Sequence, residues 1–196
     1  MLPHARRRLG AATLALLLGS ATGCTGDDSG PPDASPSPTA ATTPPPLETT
    51  ATLGKVTGRL RPAAGERVTA QVAAVVDGWW DAAYVGGEYP RTDFADAFPG
   101  FTDGAAREAR ADRRLMSNAG LKPDVVEIVP KVRQVIVDVL GVRGVAQGAT
   151  ARFRLVFVAD TGGSPAQRVS VRGRLALTRG RAGWQVFAYD VTRGGS

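Results

Sequence analysis

Histidine and cysteine are nearly absent from this 196-residue chain, which has one of each, His4 and Cys24. Beyond position 24 no imidazole or thiol is available as base, nucleophile or ligand. That excludes from the bulk of the chain a Ser-His-Asp triad, a Cys-His pair and zinc sites built on these ligands. Lysine is also scarce, confined to Lys55, Lys122 and Lys131, with arginine supplying the other positive charges. No uncharged apolar run reaches the about 20 residues that a membrane-spanning helix needs. Glycine falls at turns rather than in a phosphate-cradling pattern, and no Asp-rich loop of the calcium-binding type occurs. No cofactor or metal is therefore expected. Any catalysis would fall to a carboxylate, a tyrosine or an arginine.

The N-terminus is informative by its order. Arg6, Arg7 and Arg8 precede the apolar run Leu9 to Leu18, and small residues follow to Gly23. Positive region, apolar region and small-residue cleavage site together make residues 1–23 a secretory signal peptide. The stretch Ala21-Thr22-Gly23-Cys24 resembles the lipobox of bacterial lipoproteins, with Ala21 where that family most often has leucine. The resemblance implies that Cys24 becomes the lipidated first residue of the mature protein. Acyl chains of the palmitate kind would then hold it at the outer face of the bacterial plasma membrane, where two chains anchor stably and one does not. The alternative is a plain secreted protein cut after Gly23 with Cys24 left free. Lone thiols are uncommon in exported proteins, which favours the lipid acceptor.

Residues 24–54 read as a linker. Runs such as Ser35-Pro36-Ser37-Pro38 and Thr43-Pro44-Pro45-Pro46 carry little that can be buried. Such a segment cannot offset the entropy of ordering it and is expected to be disordered, a semi-rigid tether toward the cell wall. Residues 55–196 hold 21 basic and 14 acidic side chains, a net +7, so a basic domain stands on an acidic stalk. Anionic partners fit this balance, lipid headgroups or an anionic wall polymer, with an envelope protein as a further partner and a patternless solvated surface as the plain alternative. Nucleic acid is not expected outside the cell.

The domain over 55–196 divides by hydrophobic period. Val68, Val72, Val75, Val76, Trp79, Trp80 and Ala83 have the spacing of an amphipathic helix running from Arg67 to Gly86-Gly87. A short helix is expected over Thr92–Ala97, and another over Thr102–Leu115 with Thr102 as its cap. Val125–Val129, Val132–Leu140, Ala149–Ala159, Arg168–Thr178 and Gly183–Thr192 then alternate as strands, joined by turns too short for crossover helices. Helices first and an antiparallel meander after is an α+β pattern. This order, Trp79-Trp80 near the end of the first helix and the closing strand Trp184–Val191 resemble the nuclear transport factor 2-like superfamily over residues 64–193. The resemblance implies a cone, with N-terminal helices packed in the concavity of a curved antiparallel sheet. It also implies a fold often used without catalysis, and a sheet face open to homodimerisation.

Three groups of residues are candidates for function. Asp77 and Asp81 stand four apart on one helix face beside the tryptophans, where paired carboxyls would serve as acid and base. A solvated face opposite the valines is the plain alternative. Trp79 and Trp80 would line an apolar cleft or else belong to the core. Arg152 and Arg154 share one strand face, as do Arg172 and Arg174, and neighbouring strands would gather them into a basic face for carboxylates or phosphates. Solvated outer strands explain these arginines equally well. The leading expectation is a lipid-anchored, non-catalytic interaction module. The rivals are a small-ligand carrier using the tryptophan cleft and an isomerase- or cyclase-type enzyme with a carboxylate base.

Overall fold

A computed structural model describes residues 46–121, 123–163 and 165–195. The signal peptide over 1–23, the acceptor Cys24 and the linker as far as residue 45 lie outside the described residues.

The domain is a mixed α+β structure with one five-stranded sheet. Strand β1 (Thr50–Gly58) is followed by α1 (Pro62–Trp80), which runs into a single π-type turn at Asp81–Val85. Then come α2 (Asp103–Ala111), α3 (Arg113–Met116), a 3-10 turn at Asn118–Gly120, and β2 (Glu127–Val142), β3 (Val145–Asp160), β4 (Gln167–Gly180) and β5 (Gly183–Gly195). The spatial order is β1-β2-β3-β4-β5, antiparallel from β2 to β5 and parallel between β1 and β2.

Local chemistry explains most of these elements. Pro62 stands at the start of α1, where its missing N–H is not needed and its fixed φ suits a helix. Val68, Val72, Val76, Trp79, Trp80 and Ala83 are all buried, as their spacing requires. Thr102 caps α2 by accepting from the Ala105 amide at 3.4 Å. The β2–β3 hairpin turns on Arg143 and Gly144, both with positive φ (51° and 80°), the two-residue geometry whose twist matches the flanking strands.

Four expectations are corrected. The linker was expected to reach residue 54 and the helices to precede a wholly antiparallel sheet, yet Thr50–Gly54 already belong to β1, a strand ahead of α1 that pairs with β2 in parallel. The strands expected at Val125–Val129 and Val132–Leu140 are one strand, β2. Pro130 offers no N–H, and the register shift between Pro130 and Val132 absorbs that loss without ending the ladder. Thr92–Ala97 is not helical: Asp93 Oδ1 accepts from the Ala95 amide at 2.8 Å and only a turn forms. Six residues closely flanked by prolines are too few to offset helix nucleation.

Aromatic contacts tie α1 to the sheet. Trp79 meets Phe153 of β3 edge-to-face at 5.3 Å and also contacts Tyr84 and Phe101. Gly173 stands opposite Phe153 in the β3–β4 register. A Cβ at Gly173 would come within 2.1 Å of the Asp190 carbonyl oxygen, so only glycine lets β5 approach there. The chain before α2 is pinned to β5 by hydrogen bonds from Thr102 N to Val186 O and from Val186 N to Gly100 O, each 2.9 Å.

Candidate functional site

Asp77 and Asp81 do share one side of the first helical segment, and they share one cation. Arg133 on β2 reaches Asp77 Oδ1 through Nη2 at 3.0 Å and Asp81 Oδ1 through Nη1 at 2.8 Å. Its Nε donates to Thr49 Oγ1 at 3.0 Å, and the Thr49 hydroxyl donates to Asp77 Oδ1. The guanidinium lies 5.6 Å from the Trp80 ring centroid, within cation–π range. Burial alone would lower the Arg133 pKa, but its hydrogen bonds to Asp81 and Asp77 outweigh that and hold it above its ordinary value. Both carboxylates are thus salt-bridge partners of a cation whose side chain is only 10% exposed.

Sequence reasoning missed Arg133, and a signal for it existed. Val135, Val137 and Val139 are the buried parity of β2, and Arg133 shares it. A charge on a strand's apolar face requires a buried partner or a helix carboxylate within reach.

Trp79 and Trp80 are both fully buried. They belong to the core and present no ring to a cleft. Trp79 Nε1 donates to the Met116 carbonyl at 3.2 Å, whereas Trp80 Nε1 has no acceptor among the described residues.

The strand arginines do come together. Arg152 pairs with Arg174 and Arg154 with Arg172 in the β3–β4 register, giving four exposed guanidinium side chains on neighbouring strands. Two carboxylates attend this group. Asp138 accepts from Arg152 Nε at 3.0 Å and Nη2 at 3.3 Å, and Asp190 accepts from Arg174 Nη2 at 3.0 Å. Asp138 also accepts from the Lys55 amide at 2.8 Å, at the irregularity where β1 shifts register. Gly54 makes that approach possible, since a Cβ there would lie 2.2 Å from Asp138 Oδ1. The Arg152 hydrogen bond holds the Asp138 carboxyl below the usual range, assisted by the Lys55 amide against a smaller opposing effect of burial.

Arg154 and Arg172 are different. They face each other directly, and among the described residues neither guanidinium has a hydrogen bond or an ion pair; the Arg172 carbonyl accepts from the Thr192 hydroxyl at 3.3 Å. Like charges directly opposite on a sheet are destabilising. The fold gains nothing visible from them. An anion bridging the two would relieve the repulsion, and guanidinium is suited to bidentate contact with carboxylate or phosphate.

Among the described residues no group of three or more His, Cys, Asp or Glu side chains is arranged to hold a metal, and no helix is long and apolar enough to cross a membrane. No protein family, curated protein or solved structure matches the chain.

Proposed function

We propose that this chain is a lipid-anchored, extracytoplasmic interaction module that docks an anionic polymer of the bacterial envelope on the outer face of its sheet. One observation carries the docking surface: Arg154 and Arg172 stand opposed and exposed beside the Arg152–Arg174 rung, their guanidiniums without a partner among the described residues. A polymer with repeating carboxylates or phosphates suits four guanidiniums on adjacent strands better than a single small anion does. The lipobox-like Ala21–Cys24 and the Pro-rich stretch after it support the anchor and the tether. The engagement of Asp77 and Asp81 by Arg133 supports a non-catalytic role. The order of α1–α3 before the antiparallel β2–β5 meander supports the cone resembling nuclear transport factor 2, in which α1 lies in the concavity of the sheet.

The test is binding to poly-glutamate and to polyphosphate, each titrated at several salt concentrations. Arg154→Glu/Arg172→Glu should weaken binding at least tenfold and flatten its salt dependence. Arg179→Glu/Arg181→Glu, an equal charge change at the β4–β5 turn, should have little effect. Equal loss in both double variants would mean that overall charge, not this face, attracts polyanions, and the docking surface would be abandoned. An acidic protein captured in place of either polymer would overturn the polymer assignment. For the anchor, Cys24→Ala should release the chain from the membrane fraction.

A further inference from the structure

On the helical side of the molecule a cavity of about 600 Å³ lies between the 89–98 segment and the α2–α3 region, sharing no residue with the basic sheet face. Its volume is in the range of small-molecule sites. Tyr89, Phe94, Phe98, Leu121 and Val125 give it an apolar wall. Phe98 and Val125 are themselves buried core residues, so the cavity has an ordered floor.

Its charge is one-sided. Arg91, Arg110 and Arg113 line it against a single acidic residue, Asp93, whose Oδ1 is already engaged by the Ala95 amide. Arg91 is fixed in place: it lies 4.5 Å over the Phe94 ring and donates to Asp93 O at 2.8 Å and Gly86 O at 3.2 Å. Arg110 and Arg113, one turn apart, are exposed and freer. Arg110 makes only a long 3.5 Å contact to Ala95 O, and among the described residues Arg113 has no side-chain partner.

Behind the wall stands another cation. Asn118, which lines the cavity, accepts from Arg193 Nη2 at 3.4 Å and donates to Tyr89 Oη at 3.2 Å. Arg193 Nη1 donates to Ser117 O at 2.7 Å and Arg114 O at 3.1 Å, and among the described residues no carboxylate pairs with it. Burial pushes its pKa below the ordinary arginine value. A partly buried guanidinium held only by carbonyl and amide oxygens is uncompensated, and an anion in the adjacent cavity would supply the missing charge.

From this arrangement we infer that the cavity binds an amphiphilic anion, with a carboxylate or phosphate head at Arg110 and Arg113 and an apolar body along Phe94, Phe98 and Val125. A head alone leaves the apolar wall wet, and a neutral chain leaves the arginines without a counter-charge, so both parts of the ligand are needed.

The experiment titrates the full chain with 1-anilinonaphthalene-8-sulfonate and displaces it with laurate, dodecyl phosphate, dodecanol and inorganic phosphate in turn. One saturable site is expected, emptied by laurate or dodecyl phosphate, with dodecanol at least tenfold weaker and inorganic phosphate without effect. The preferred head, carboxylate or phosphate, follows from which of the two acids displaces better. Arg110→Gln/Arg113→Gln should weaken the acids at least tenfold while leaving dodecanol unchanged. Ala95→Trp, which adds an indole to the cavity lining and keeps every charge, should weaken the binding of all of them, dodecanol included. Near-UV circular dichroism confirms that each variant is folded. Absence of saturable binding, equal affinity for laurate and dodecanol, or undiminished binding by both variants would overturn the inference.

Discussion

Replacing Arg133 by methionine keeps an unbranched chain against Trp80 and removes the charge that Asp77 and Asp81 share. The two carboxylates are not equivalent. Asp77 is 30% exposed and is also bonded by Thr49, whereas Asp81 is 58% exposed. Breaking a fully buried pair costs about 3–5 kcal/mol, while an exposed pair contributes about 0–1 kcal/mol. Asp77 lies between these limits, at roughly 1.5–2 kcal/mol, and Asp81 near the lower one, at about 0.5 kcal/mol. Arg133→Met should therefore destabilise the domain by about 2–2.5 kcal/mol, or roughly 4–10 °C in melting midpoint for a domain of this size. Urea denaturation followed by circular dichroism, run as a double-mutant cycle with Asp77→Asn and Asp81→Asn, resolves the two couplings. The 133–77 coupling should exceed about 1 kcal/mol and survive added salt, and the 133–81 coupling should be smaller and fade with salt. A loss below about 0.5 kcal/mol for Arg133→Met, or a stronger coupling to Asp81 than to Asp77, would refute the reasoning.

Two further outcomes follow from the same structure. Trp79→Phe strips the Met116 carbonyl of its indole donor, whereas Trp80→Phe removes an indole N–H that has no acceptor among the described residues. The first should therefore be the more destabilising by about 1–2 kcal/mol in denaturant melts, and equal losses would count against the assignment. Asp138 is ionised more readily in the folded chain than in the unfolded one, because Arg152 and the Lys55 amide bond its carboxylate. Its folded pKa is lowered, so its stabilising contribution is present at neutral pH and is lost as pH falls below about 4 through the folded value. The gap in urea midpoint between the natural chain and Asp138→Asn should be full at pH 6 and shrink in that acid range. A gap independent of pH would contradict the linkage.

What could be read from the chain itself was whatever short-range spacing decides. The valine and tryptophan register of α1, the Thr102 cap and the alternation of β3, β4 and β5 are set by neighbours within a few residues, and these elements stand close to where the pattern puts them. The arginine faces of β3 and β4 were equally legible, since strand parity alone assigns Arg152, Arg154, Arg172 and Arg174 to one side.

Contacts between segments far apart in sequence decided the rest. β1 is poor in buried side chains and follows a Pro-rich stretch, and its strand character comes from the edge of β2 some 80 residues later. Pro130 punctuates the sequence, but pairing with β3 on either side carries β2 through it. The fate of Asp77 and Asp81 depended on Arg133, 56 and 52 residues away, which no helical spacing could disclose. The cation cluster around the helical cavity joins residues 91, 110, 113 and 193, which only folding brings together. Periodicity reports which face of an element is apolar. Which charge meets which, and which is left without a partner, depends on the distances that the tertiary fold sets.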